Sequence, residues 1–319
     1  MSFTTSSVAL ATIVCTYVFT FLALVSFAIH VFLCIKKSRL SWDDISTFIA
    51  FAMTLGLVCQ TTWAVIDEGQ GQHVSDVTRS QFELTAKSLL VNEALWAVIN
   101  MFIRLSALSL IYTLFKINRI MMMWTWAFIG ISIVHGIAAI LTGVLICHPI
   151  QASWDTRVQG TCGNQTTAYV ALEVGGLVID IAILVMPIII VLKLTLNIRR
   201  KFGIILIFSA GSLVTIITSF RIAALHRVTS TDFSYDQGYL GLLSTLGALL
   251  GIISCCSTSL PSFIHYLSPG ETRRHLPLNS PRSKRTTHQT DIREAGPLSN
   301  HCEEEECGEE QSVKEKSIV

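Results

Sequence analysis

Residues 176–193 read GLVIDIAILVMPIIIVLK, which places one acid, Asp180, in the middle of an apolar run. A helix that crosses the hydrocarbon core of a membrane needs roughly 20 mostly apolar residues, because each residue advances it by only about 1.5 Å. The stretch has this length and composition. It therefore predicts a membrane-spanning helix that carries a carboxylate at membrane depth, and it raises the question of what that carboxylate contacts.

The composition of the whole chain indicates a membrane protein. Of its 319 residues, 51% are hydrophobic and 14% are charged, whereas an ordinary globular domain has about 25% charged residues. Apolar stretches of membrane length predict seven helices, at residues 7–35, 45–66, 87–115, 120–147, 168–192, 202–225 and 238–267. We therefore predict an all-α, polytopic seven-helix bundle over residues 1–267. A tail with blocks of like charge, residues 268–319, is predicted to be disordered.

The distribution of Lys and Arg predicts the orientation of this bundle, since short cytoplasmic loops are enriched in both. The connections after helices one, three and five contain Lys36, Lys37, Arg39, Lys116, Arg119, Lys193, Arg199, Arg200 and Lys201. The other connections contain only Arg79, Arg157 and Arg227. We expect the N-terminus outside and the C-terminus in the cytosol, with Arg199, Arg200 and Lys201 available to a cytosolic signalling partner.

Two cysteines flank the predicted outer loop between helices four and five. A disulfide between Cys147 and Cys162 can persist there, because that compartment is oxidising, and it would hold the loop over the mouth of the bundle. The alternative is a pair of free thiols. Asn164 begins the sequence Asn-Gln-Thr on the same side, so it is a candidate glycosylation site, although it is close to helix five.

Polar residues at membrane depth form stripes on two predicted helices. On helix five the spacings of three, four and seven place one set on a single face: Tyr169, Glu173, Gly176, Asp180 and Pro187. On helix three a second set shares a face: Glu93, Asn100 and Arg104. An ionised residue near a helix centre costs about 2.5 to 3.5 kcal/mol on the insertion scale. Both stripes should therefore face the interior of the bundle.

Depth in the membrane suggests how these residues pair. Glu93 and Glu173 lie near the outer ends of their helices, as does Arg221 on helix six, whereas Asp180 is close to the middle of helix five. We predict an outer cluster of Glu93, Glu173 and Arg221, and a deeper pair of Asp180 and Arg104. Two interpretations remain open: the clusters hold helices together, or they take part in function.

Several motifs together resemble the fungal rhodopsin-like integral membrane protein family, which includes a protein of the satratoxin biosynthesis cluster. In chain order they are Trp42-Asp43-Asp44, Gly69-Gln70-Gly71-Gln72-His73, Arg104-Leu105-Ser106, Cys147-His148-Pro149-Ile150, Trp154, Cys162, Asp180, Pro187 and Arg221. In the family pattern a Lys stands at the position of Arg104 and an Arg at that of Gln72. The resemblance implies a receptor-like membrane protein, similar to GPCR-like proteins, and a link to secondary metabolism.

The resemblance to rhodopsins does not extend to a retinal site or to the animal receptor motifs. Retinal binds as a Schiff base to a lysine, usually in helix seven, and residues 238–267 contain no lysine. We therefore expect no cofactor. An Asp-Arg-Tyr at the inner end of helix three and an Asn-Pro-x-x-Tyr in helix seven are also missing.

Three functions remain compatible with the sequence. The first is a receptor-like protein that binds a small-molecule ligand beneath the Cys147 to Cys162 loop and couples through the basic inner segments. The second is a membrane enzyme, such as an isoprenoid cyclase, with Asp180 or Glu93 as the proton donor. The third is a transporter or an assembly partner for a metabolite pathway. We favour the receptor-like interpretation, in a lipid bilayer and without a nucleic-acid partner.

Overall fold

The chain is an all-α bundle in a computed structural model that describes residues 7–37, 40–73, 77–115, 118–155, 157–191, 198–227 and 233–257. Within these ranges seven helices follow one another: α1 Ser7–Lys37, α2 Trp42–Ile66, α3 Arg79–Phe115, α4 Arg119–Leu145, α5 Gln165–Val191, α6 Ile198–Arg227 and α7 Phe233–Ser257. The predicted tail and the end of predicted helix seven lie outside the described residues, so the domain boundary at residue 267 stays a prediction.

The predicted polytopic membrane fold is confirmed. Six helices, α1 to α5 and α7, are long and apolar enough to cross a membrane, judged on the described residues. The described part of α6 contains a shorter apolar stretch, Gly211–His226. The protein is therefore a multi-pass membrane protein, as its composition indicates.

Two helices, α3 and α7, begin five or more residues earlier than predicted, and in α3 the reason is a cap. The prediction starts helix three at residue 87, but α3 begins at Arg79. The Thr78 N–H donates to Gln81 Oε1 at 2.9 Å, and the Gln81 N–H donates to Thr78 Oγ1 at 3.4 Å. These reciprocal bonds form a capping box, which starts a helix in polar sequence where a hydropathy window detects none. Similarly, α7 begins at Phe233 rather than at residue 238.

Helix α7 lies at the centre of the bundle. In its most apolar window 72% of the residues are buried inside the protein, against 11% in α4, and α7 packs against α1, α2, α3 and α6. Glycine makes this packing possible at residue 247, because a Cβ there would lie 2.8 Å from the Trp96 ring. The outward faces of α1 and α4 carry exposed apolar side chains such as Phe21 and Val134, which suits contact with lipid.

A small hairpin closes the end of the bundle between α4 and α5. Strand β1, Cys147–His148, pairs antiparallel with β2, Thr161–Cys162, and the predicted disulfide joins Cys147 to Cys162. Two contacts tie the hairpin to the helices. Gln165 Nε2 at the start of α5 donates to Cys147 Sγ at 3.3 Å, and Lys87 Nζ of α3 lies 5.6 Å from the centre of the Trp154 ring. The hairpin thus contacts both helices that carry the polar stripes.

The turn between α2 and α3 packs against the start of α7. Gly69 and Gly71 have positive φ angles of 73° and 86°, which residues other than glycine rarely adopt. The Gly71 N–H donates to Ser234 O at 2.8 Å, and Gln70 Nε2 donates to Gln237 O at 2.8 Å. The Gly-Gln-Gly stretch of the family motif therefore has a structural role, which is to bring the turn onto α7.

Candidate functional site

The outer cluster is centred on Arg221 of α6, whose side chain is fully buried. Arg221 Nη2 lies 2.6 Å from Glu93 Oε1 on α3, and Nη1 lies 2.5 Å from Glu173 Oε1 on α5. The structure thus places together the three residues that membrane depth assigns to one layer. One guanidinium links three helices by charge-assisted contacts, which are the stronger class of hydrogen bond.

The remaining surface of the Arg221 guanidinium contacts two further groups. Its Nε donates to Ser244 Oγ on α7 at 2.9 Å. Its Cζ lies 4.5 Å from the centre of the Trp96 ring on α3, a cation–π distance. Arg221 therefore contacts α3, α5 and α7 at the same time. Sequence reasoning did not assign Ser244 or Trp96 to this site.

The outer cluster has more negative than positive charge. Arg221 faces two carboxylates, Glu93 and Glu173, so among the described residues of the cluster the formal charges sum to one excess negative charge. Tyr169 lies near Glu93 and is 4% exposed, and its hydroxyl has no hydrogen-bond partner among the described residues. A buried carboxylate and a buried phenol are thus both left able to bind a further polar group.

The deeper pair consists of Asp180 on α5 and Arg104 on α3. Arg104 Nε donates to Asp180 Oδ1 at 2.7 Å, and Arg104 Nη2 donates to Oδ2 at 3.1 Å. This bidentate geometry engages both carboxylate oxygens with two parallel N–H groups. The carboxylate in the quoted apolar run therefore contacts a guanidinium on another helix.

Sequence reasoning missed His135 of α4, which completes the deeper layer. Its Nδ1 lies 3.3 Å from Arg104 Nη1, and its Nε2 lies 2.9 Å from the Leu172 carbonyl oxygen of α5. The carbonyl can only accept and the guanidinium can only donate, so these contacts require a neutral imidazole protonated at Nε2. A single histidine in an otherwise apolar helix was the only signal in the sequence.

Gly176 makes room for the deeper pair. A Cβ at residue 176 would lie 2.8 Å from Arg104 Nη2 and 3.3 Å from the His135 ring. The first distance is shorter than a side chain tolerates, so any larger residue would displace the guanidinium. The glycine in the polar stripe of α5 is thus part of the site through the space it leaves.

The other predicted site residues lie apart from both layers or outside the described side chains. Asn100 is buried, but its Nδ2 donates to the Trp96 carbonyl on its own helix at 2.9 Å. Asn164 is exposed at the start of α5, where its Oδ1 accepts from the Thr167 N–H at 3.1 Å. The side chains of the remaining predicted residues lie outside the description: Pro187, Arg199, Arg200 and Lys201.

Three relatives have detectable similarity to the chain. The SAT4 family membrane protein of Emericella nidulans is 27% identical over 248 residues, covering 74% of this chain and 62% of the relative. Wortmanamides biosynthesis cluster protein C of Talaromyces wortmannii is 26% identical over 121 residues, 38% of this chain and 32% of the relative. Satratoxin biosynthesis SC1 cluster protein 4 of Stachybotrys chartarum is 22% identical over 193 residues, 56% of this chain and 70% of the relative.

The chain spans less than two thirds of the length of the first two relatives. No solved structure matches it.

The sequence profile of the fungal rhodopsin domain matches residues 29–266, which contain both charged layers and the disulfide hairpin. This match covers most of the chain, and the helical bundle has the architecture that a multi-pass membrane protein of this kind requires. The chain therefore belongs to the fungal rhodopsin domain family.

Proposed function

We propose that this protein is a GPCR-like receptor that senses a small molecule at the outer cluster beneath the disulfide hairpin. The observation that carries the proposal is the position of Arg221 between two carboxylates, Glu93 and Glu173. A ligand amine or hydroxyl group would donate to the excess carboxylate, and a ligand hydroxyl could also accept a hydrogen bond from Tyr169. Its apolar remainder would suit the surrounding helices.

The location of the cluster supports a ligand site. Glu93 follows Lys87 by six residues, so it lies about 9 Å along α3 from the contact with the hairpin. Glu173 follows Gln165 by eight residues, about 12 Å along α5 from the corresponding contact. The charged cluster is therefore within reach of a small molecule that enters beneath the hairpin.

Arg221 offers a route by which binding could change the helix arrangement. A ligand that competes for Glu173 would loosen the link between α5 and α6, and Arg221 also holds Ser244 of α7. Ligands shift a conformational equilibrium only through different affinities for its states. Competition for a buried ion pair supplies such a difference, and the basic segment at Arg199, Arg200 and Lys201 is the proposed contact for a cytosolic partner.

The enzyme alternative has less support. Both oxygens of Asp180 accept hydrogen bonds from Arg104, which stabilise the carboxylate form and leave no proton to donate. Helix α7, Phe233–Ser257, contains no lysine to form a Schiff base, so we also propose that the protein has no retinal. The names of two relatives connect them with biosynthesis clusters. We therefore propose a secondary metabolite as the ligand class.

The test uses the full chain in nanodiscs, a heterotrimeric G protein, and a panel of polyketides and terpenoids that carry amine or hydroxyl groups. We expect a compound to raise the thermal midpoint of the wild type and to stimulate GTPγS uptake. Glu173→Gln should lose the midpoint shift. The triple change of Arg199, Arg200 and Lys201 to Ala should keep the shift but lose the uptake. Glu83→Gln, which changes a partly exposed residue outside the cluster, is the matched control and should keep both.

Two results would reject the receptor. If the compounds stabilise wild type and Glu173→Gln equally, the outer cluster is not the ligand site. If microsomes convert a compound to product and Asp180→Asn abolishes the conversion, the protein is an enzyme.

A further inference from the structure

A second polar group lies at the opposite end of the bundle, where α1 ends and α2 begins. His30 Nε2 is 3.3 Å from Asp44 Oδ1 and 3.6 Å from Cys34 Sγ, and the three ligand atoms all lie within 4.8 Å of one another. His30 is 2% exposed and Asp44 is 4% exposed. His30 and Cys34 are four residues apart in α1, so they share one face of the helix.

Two of the three separations, from His30 to Asp44 and from His30 to Cys34, match the edges of a tetrahedral metal site. In a tetrahedral zinc site the bonds to nitrogen and oxygen are about 2.0 to 2.1 Å long, and the bond to sulfur is about 2.3 Å long. These bond lengths place the N and O ligands about 3.3 Å apart and the N and S ligands about 3.5 Å apart. A charge-assisted hydrogen bond between imidazole and carboxylate would instead be about 2.7 to 2.9 Å long. The observed distance of 3.3 Å from His30 to Asp44 is longer than this bond and equal to the tetrahedral edge.

The charges of the three groups favour a divalent ion. A Cys34 thiolate and an Asp44 carboxylate together balance the charge of Zn²⁺, and His30 binds as a neutral ligand. The complex is then electrically neutral, which lowers the cost of holding charge near the membrane interior. Imidazole and thiolate both suit zinc, whereas carboxylate is a poor ligand for Cu(I).

The surroundings of the cluster orient its ligands. The Ser41 N–H donates to Asp44 Oδ2 at 2.9 Å, which leaves Oδ1 directed at His30. The centre of the Phe48 ring lies 6.1 Å from that of His30, and Phe27 is stacked on Phe51. A hydrogen bond to the second carboxylate oxygen and an apolar wall are features that tune metal sites in proteins.

We infer that His30, Cys34 and Asp44 bind one Zn²⁺ ion that joins α1 to α2. Helix α1 packs mainly against α7 and contacts α2 only slightly, so the ion would add a link that side-chain packing supplies weakly. Three protein ligands leave the fourth tetrahedral position for water. The site is separate from the outer cluster, and the inference does not depend on the proposed receptor function.

The experiment measures metal bound to the full chain, purified in detergent, stripped with a chelator and reloaded with Zn²⁺ or Co²⁺. We expect about one equivalent of zinc after desalting, and a thiolate-to-cobalt charge-transfer band with Co²⁺. Cys34→Ser should abolish the band and weaken zinc binding at least tenfold. His30→Ala and Asp44→Asn should weaken it similarly. Cys15→Ser, which changes a second cysteine of α1, is the matched control and should behave as the wild type.

The outcomes separate a metal site from an ordinary polar contact. If the wild type retains no more zinc than Cys34→Ser, or if its cobalt complex lacks the thiolate band, the inference is wrong. If His30→Ala or Asp44→Asn fails to elute as a single species, the decision rests on Cys34→Ser against Cys15→Ser. Both of these replace sulfur by oxygen and neither disturbs the α2 cap.

Discussion

At the scale of single residues, Arg221 and Arg104 show how this bundle holds charge at membrane depth. Arg221 is 0% exposed and contacts two carboxylates, a hydroxyl and an aromatic face. Arg104 is 7% exposed and contacts a carboxylate and an imidazole. Removing one partner of a buried ion pair costs about 3 to 5 kcal/mol, because the other charge stays buried without compensation.

The pair of Arg104 and Asp180 can be tested by exchanging its charges. We expect Arg104→Asp and Asp180→Arg each to lower the folded yield severely, since each places two like charges in contact. The double variant should recover a substantial part of that yield. Yield is measured as the monodisperse fraction on size-exclusion chromatography. If the double variant is no better than the worse single variant, the two side chains do not stabilise the fold as a pair.

The space at Gly176 gives a second test at this scale. Gly176→Ala places a methyl group where Arg104 Nη2 lies, so we expect it to destabilise the protein by about 1 to 3 kcal/mol, the usual cost of overpacking. Gly130→Ala in α4 is the matched control, because a Cβ there meets nothing within 4 Å. The midpoint of thermal unfolding in detergent measures the stability of both variants. Equal midpoints for the two variants would show that Arg104 moves aside without cost.

At the scale of elements, the turn between α2 and α3 contains a carboxylate outside the spanning helices. Glu68 is 2% exposed, and this burial raises the pKa of its carboxyl. A hydrogen bond with Ser88 lowers the same pKa, and the nearby charge of Asp67 raises it further. The same turn is held to α3, since Thr85 Oγ1 donates to the Glu68 carbonyl oxygen at 3.0 Å. A buried acid here costs stability when it is ionised.

The raised pKa of Glu68 predicts a pH dependence of stability. The folded protein holds the Glu68 proton to higher pH than the unfolded chain does. The stabilisation that this proton provides is therefore fully present below pH 4.5, the ordinary pKa, and is lost as the pH rises through the raised pKa. Glu68→Gln removes this loss. We expect its thermal midpoint to exceed that of the wild type at neutral pH, with the gap closing towards pH 4.5.

The control for this pH dependence is Glu83→Gln. Glu83 is partly exposed, and its Oε1 lies 3.7 Å from Nε of the exposed Arg79. Solvent-accessible pairs of this kind contribute little to stability. Its midpoint should follow that of the wild type at each pH. A gap between Glu68→Gln and wild type that stays constant with pH would contradict the raised pKa.

At the scale of the whole molecule, the central position of α7 explains why its polar residues face other helices. Ser244 and Thr245 are fully buried. Ser244 Oγ accepts a hydrogen bond from Arg221 Nε, and Thr245 Oγ1 lies 2.9 Å from Thr61 Oγ1 of α2. A helix surrounded by protein can carry hydroxyls that would be costly against lipid. The bundle therefore keeps its polar contacts inside and its apolar surface outside.

The predicted orientation, with the C-terminus in the cytosol, is testable in cells. An epitope tag at the C-terminus should bind antibody only after the plasma membrane is permeabilised, provided that the protein reaches that membrane. A tag between Asp155 and Arg157 in the hairpin loop should bind antibody on intact cells and serves as the paired control. The reverse pattern would show that the Lys and Arg distribution has been misinterpreted.

The two charged layers were predictable in part. Helical periodicity turned Glu93, Arg104, Glu173 and Asp180 inward, and depth along the helices matched acids to Arg104 and Arg221. The same contacts are present in the structure. Periodicity also placed Asn100 with these residues, but its amide is bound to its own helix. A stripe predicts which face is buried, and it does not predict which neighbour each side chain reaches.

The sequence by itself determined the membrane class, the number of helices and the position of the disulfide loop. These follow from properties of contiguous residues, because the free energy of placing a segment in lipid depends on its own composition and length. Only the tertiary structure decided that His135 joins Arg104, that Trp96 and Ser244 complete the contacts of Arg221, and that Gly176 leaves space for a guanidinium. These contacts depend on the rotation and register of helices far apart in sequence, which packing of the whole bundle sets.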